Sequence, residues 1–137
     1  MNLGRIILAG LLFVVTMSAK DINVVIFLAD KAKFDSAFII TSGLQKTLEK
    51  DEKADIKLVL GGSSVEIFAS RSKKDLEMQE KIKSLIAMPN VRVVACNGAM
   101  KRNGIEVDWL SDGIKTVKAA PKEVVLRQLD GYAVLQP

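Results

Sequence analysis

The chain has 137 residues, a formal net charge of +4, 49% hydrophobic residues and 26% charged ones, which fits one folded domain with a real core and excludes disorder or two full domains. It holds no histidine and a single cysteine, so Ser-His-Asp triads, Cys-His pairs, His-based or thiolate metal sites and intrachain disulfides are all excluded. Lysines alternate with acids, as in Lys73-Lys74-Asp75 and Glu80-Lys81, which is the pattern of solvated helix faces; no basic block or aromatic row points to nucleic acid as a partner.

Residues 1–19 form the first unit. Arg5 precedes a short apolar run, Ile6 to Met17, and the small residues Ser18-Ala19 follow. A positive start, an apolar centre and a small-residue end are the three parts of a secretory signal peptide, with cleavage expected after Ala19, or after Ser18; the alternative is a retained membrane anchor or a helix packed on the domain. The run is shorter than the roughly 20 residues a spanning helix needs. Residues 20–137 are therefore expected as one exported domain, in a bacterial periplasm, with no stable membrane span after signal removal.

Strand-like runs then alternate with amphipathic helices. Ile22 to Ala29 is short, β-branched and ended by Asp30. Positions 34, 37, 38, 41, 44 and 48 predict a helix from Phe34 to Lys50. Ile56 to Leu60 is a second strand, broken by Gly61-Gly62, after which Ser63 or Ser64 can cap a short helix over Val65 to Ala69. A longer helix from Lys73 to Ala87 aligns Met78, Ile82, Leu85 and Ile86, and Pro89-Asn90 stops it.

Val91 to Ala95 is the third strand and ends at Cys96; a short helix over Gly98 to Asn103 is closed by Gly104. Ile114 to Ala119 is the fourth strand. Pro121 and Glu123 suit the first turn of a last helix, Gly131 stops it, and Tyr132 to Leu135 is the fifth strand. Apolar strands separated by helices imply a parallel sheet covered on both faces. The expected fold is α/β, a three-layer α/β/α sandwich with a five-stranded, mainly parallel sheet.

Ligands of such sheets collect beyond the carboxyl ends of the strands. Asp30, Gly61, Gly62, Ser63 and Cys96 stand there as candidate pocket residues. Cys96 faces the start of a helix, where the unpaired N–H groups of Asn97 and Gly98 can stabilise negative charge, with Lys101 and Arg102 one turn on. The competing reading is a buried cysteine packed as a small hydrophobe. Gly61 to Ser64 reads as a tight turn and helix cap in preference to an anion nest, since neither a Walker lysine nor GxGxxG accompanies it. No cofactor and no metal is expected.

From Val91 to Ile105 the chain reads Val-Arg-Val-Val-Ala-Cys-Asn-Gly-Ala-Met-Lys-Arg-Asn-Gly-Ile. With Asp108-Trp109-Leu110, Gly113-Ile114, Ala120 to Val124 and Leu129 to Ala133, this resembles the DsrE/DsrF-like (sulfur-relay, DsrE/TusD-type) family. The resemblance implies the same α/β/α sandwich, a homo-oligomer (trimer or hexamer), and sulfur donor and acceptor proteins or small persulfides as partners. It also implies that Cys96 carries a persulfide, which makes the chain an exported sulfur carrier or sulfurtransferase-like protein. Where many relatives carry His-x-Asn at the end of the first strand, this chain has Phe27-Leu28-Ala29. The alternative from a different class is a non-catalytic oligomeric binding module in which Cys96 is structural. Redox sensing by a lone exported thiol is a third.

Overall fold

The computed structural model describes residues 20–137; the expected signal peptide lies outside them. Five strands, β1 (Asp21–Leu28), β2 (Lys53–Leu60), β3 (Val91–Cys96), β4 (Lys115–Val117) and β5 (Ala133–Leu135), form one sheet in the order β4-β3-β2-β1-β5. Every pairing is parallel. Four α-helices connect them: α1 (Phe34–Lys46), α2 (Lys73–Ile86), α3 (Asn97–Arg102) and α4 (Ala120–Leu129). Parallel neighbours require crossovers, and right-handed crossovers fix where the helices go. The chain steps from β1 to β4 in one direction, with α1 and α2 on one face. It then returns past the whole sheet to β5, which puts α4 on the other face. The expected three-layer α/β/α sandwich is the fold, with a sheet that is wholly parallel.

Side chains alternate along each strand, so the register sorts them between the two faces. Val24, Ile26, Leu28, Ile56, Leu58, Leu60, Val93 and Ala95 share the α1/α2 face, and all are buried. Met78, Ile82 and Leu85 of α2 are buried with them, as the helical spacing predicts. The α2 start is fixed by Ser72, which accepts from Asp75 N at 3.2 Å and donates to Asp75 Oδ2 at 2.9 Å. Lys31 lies 2.7 Å from the same carboxylate. Burial opposes charge on Asp75, but the hydrogen bonds from Lys31, Ser70 and Ser72 outweigh it and hold the carboxyl below its usual range.

Several boundaries differ from expectation. α1 stops at Lys46, four residues early; Thr47 is its C-cap, where the backbone leaves the helix and the hydroxyl donates to Gly43 O at 2.7 Å. β2 starts at Lys53, since parallel pairing with Asp21 onward recruits the polar stretch before Ile56. Residues 62–68 form a 3-10 helix with Gly61 as N-cap and no side-chain cap. Ser64 donates instead to Leu28 O and Gly61 O, at 2.9 and 2.6 Å. β4 pairs over three residues only. Among the described residues no helix is long and apolar enough to cross a membrane.

Candidate functional site

Cys96 ends β3 and is the N-cap of α3. An N-cap side chain reaches the third helical N–H, and the sulfur accepts from Ala99 N at 3.4 Å. It also accepts from Ala120 N, the first residue of α4, at 3.2 Å. The sequence pointed to Asn97 and Gly98 as donors. Because α3 starts one residue earlier than expected, the local donor is Ala99, and the second comes from 24 residues away. Two helix starts thus each turn a backbone N–H on one sulfur. The residue is 4% exposed.

Gly98 lies between that sulfur and Arg102. A Cβ at Gly98 would stand 3.8 Å from Sγ, 3.5 Å from an Arg102 guanidinium nitrogen and 3.8 Å from Lys118 O. These are ordinary contact distances, so the missing side chain leaves open the space beside the sulfur. Arg102 and Lys101 occupy the exposed last turn of α3. The helix closes on Gly104, with φ +64°, where Ile105 N bonds Met100 O at 2.9 Å and Gly104 N bonds Lys101 O at 3.3 Å. Asn103 Nδ2 donates to Ala99 O at 2.8 Å and to Gly62 O at 3.3 Å, tying α3 to the β2 turn.

The candidate pocket residues divide. Gly61 meets the surroundings of Cys96, because a Cβ on it would come within 3.0 Å of Ala120 Cβ and 2.8 Å of Phe27 Cε2. Gly62 (φ +50°) brings its backbone against Ala29, and a Cβ there would fall 2.3 Å from Ala29 O. The N–H groups of Gly61, Ser63 and Ser64 donate to Leu28 O, Ala29 O and Gly61 O, so the segment is a tied turn with those donors already used. Ser63 Oγ accepts from Lys31 N at 3.0 Å, and the Asp30 carboxylate caps Ala32 N at 2.9 Å. Asp30 thus joins the loop after β1; it also lines a hollow of about 200 Å³ with Phe27, Lys33 and Pro137. A larger trough of about 850 Å³ runs along the outside of α2 and shares no residue with the Cys96 surroundings. Among the described residues no three of His, Cys, Asp and Glu gather as metal ligands.

A polar network under α4 was not singled out from the sequence. Lys57, 6% exposed in the middle of β2, places Nζ 2.6 Å from Glu123 Oε1 in the first turn of α4. Arg127 Nε stands 3.3 Å from the same carboxylate, too bent for a hydrogen bond, and the guanidinium lies over the Tyr132 ring. The Tyr132 hydroxyl donates to Asp55, which Arg92 also holds through bonds of 2.6 to 3.1 Å. Burial pushes against charge on Asp55, but hydrogen bonds from Arg92 and Tyr132 outweigh it and hold the carboxyl below its usual range. Burial first, then the bond to Asp55, pushes the Tyr132 phenol up. A lysine inside the run Ile56-Lys57-Leu58-Val59-Leu60 was the available signal, since buried lysines are paired.

A family model, the DsrE/DsrF-like family, matches residues 9–137. The comparison with curated proteins returns no match. Two solved structures are similar in fold. One is a protein of unknown function, MTH1491 from Methanobacterium thermoautotrophicum, with TM-score 0.68 and 21% identity over 86% of this chain and 99% of that one. The other is the YchN protein from E. coli, with TM-score 0.65 and 20% identity over 86% and 99%.

Proposed function

The chain belongs to the DsrE/DsrF-like family, which is associated with sulfur relay, and from that premise we propose that it carries sulfane sulfur as a persulfide on Cys96. The observation that carries this reading is the sulfur itself: it is the chain's single thiol, placed where two helix starts offer N–H groups to it. The Cys96 thiolate attacks the sulfane sulfur of a donor persulfide. A new S–S bond forms at Sγ, the donor's own S–S bond breaks, and the donor thiolate leaves with the electron pair. An acceptor thiolate then takes the outer sulfur by the same exchange and Cys96 thiolate is the leaving group. Neither step needs a general base, which fits a chain without histidine. The proposal includes export to a periplasm after removal of residues 1–19, and assembly of copies of the chain.

Intact mass after incubation with glutathione persulfide, polysulfide or thiosulfate, beside Cys96→Ser, tests it. A gain of about 32 mass units per sulfur, reversed by dithiothreitol and absent from the variant, is expected. No gain, together with a thiol that resists alkylation in the folded protein, overturns it. One observation favours a second reading, the binding module: the sulfur is nearly buried and joins α3 to α4. Under that reading Cys96→Ser binds and assembles normally. The mature N-terminus of the secreted protein and its sedimentation behaviour test export and assembly.

A further inference from the structure

We propose that the buried Lys57–Glu123 pair is a positioning device that holds the start of α4 against the Cys96 sulfur, so that a side chain with no contact to the sulfur sets how fast Cys96 is loaded. The inference rests on the sulfur-carrier reading and adds to it a regulator of the same thiol.

Besides the burial of Ala120, the first turn of α4 is held through Glu123, which Lys57 bonds and Arg127 approaches to 3.3 Å. Its N-cap is Ala119, which has no side-chain oxygen, and Pro121 has no N–H to give. Ala120 N is bonded to Cys96 Sγ, and three residues on, Glu123 is bonded to Lys57. The two contacts tie the same helical turn to two neighbouring strands, one to β3 and one to β2. Lys57 pairs in register with Arg92, four residues before Cys96 along β3, and its ammonium is spent on Glu123. The pair is an unpromising source of stability, because well-packed apolar residues in place of a buried ion pair are often neutral or better. Its geometric effect is specific: it sets where the helix begins, and hence where the Ala120 N–H points.

The test compares Lys57→Met, Glu123→Gln and Lys57→Arg in the full chain. Two rates are read, sulfur loading from glutathione persulfide and amide exchange at Ala120 and Ala99 by NMR. Positioning predicts that Lys57→Met and Glu123→Gln act in the same direction. Loading falls about tenfold, the worth of one hydrogen bond, and Ala120 exchanges faster while Ala99, held inside α3, does not. Lys57→Arg restores both. If the two neutralising variants shift loading in opposite directions, the groups act as charges through space and the proposal is overturned. Unchanged exchange at Ala120, or equal acceleration at Ala99, overturns it too. Should Lys57→Met fail to fold, Glu123→Gln carries the same expectation. If the wild-type protein takes up no sulfur, the carrier reading fails, and iodoacetamide alkylation with amide exchange still decides the positioning.

Discussion

The two faces of the sheet differ in what they add to an apolar centre. Under α1 and α2, β1 to β3 present Val, Ile, Leu and Ala with almost no solvent contact, and burial of apolar area holds that side together. Under α4 the same strands keep an apolar centre of Val25, Val59 and Val94 but add Asp55, Lys57, Arg92 and Cys96, and the helix above answers with Glu123 and Arg127. Apolar packing is tolerant of direction, whereas hydrogen bonds and ion pairs fix angles and distances. The first face is apolar throughout, and the second carries the polar contacts around the sulfur.

The division can be broken most forcefully from the apolar side. Leu58→Ala should lose about 3 kcal/mol in urea unfolding, with Cys96 loading unchanged in the folded protein. A Leu58→Ala protein of normal stability that loads poorly would refute the division. Gly61→Ala should behave differently. Its methyl would meet the rigid Phe27 ring at 2.8 Å and Ala120 Cβ at 3.0 Å, so we expect a loss of about 1–2 kcal/mol from overpacking together with slower loading, as Ala120 is pushed from the sulfur.

The pH response separates the faces next. Asp75 on one side and Asp55 on the other both titrate lower in the fold than in the unfolded chain. Their contributions are complete above about pH 4 and fade as the pH falls through the folded values. Asp55→Asn should therefore weaken the protein at pH 7, by at most about 1 kcal/mol because the group is a third exposed, and the difference should shrink as the pH falls through the folded value. Tyr132 is raised, so its contribution is present below about pH 10 and is lost as the pH climbs through the folded value. Base should thus weaken the Tyr132–Asp55 contact, and Tyr132→Phe should remove that alkaline step from a plot of urea midpoint against pH. The smallest expected change in stability is from Gly98→Ala, a gain of roughly 0.5 kcal/mol from helix propensity. Loading by glutathione persulfide should nevertheless slow, because the methyl stands beside Sγ; unchanged loading would show that sulfur arrives by another path.

Layer order and strand identity were legible because runs such as Val91 to Ala95 and the spacing of Met78, Ile82 and Leu85 are local signals. So was the place of Cys96 at a strand end before a helix. What stayed hidden depends on partners distant in sequence. The Ala120 N–H reaches Cys96 across 24 residues, and Lys57 finds Glu123 across 66. Neither backbone donors nor ion pairs at such separations leave a periodic trace. Ser63 and Ser64 misled as helix caps because their hydroxyls serve the loops after β1 and β2.

Because all five strands run the same way, the domain has two unlike poles. Lys20 enters β1 at one of them, while Cys96 and the last residues, Gln136 and Pro137, leave the sheet at the other. For anyone immobilising the protein, the choice of end matters. A linker joined before Lys20 leaves the pole of Cys96 facing away from the support, whereas one joined after Pro137 crowds that pole.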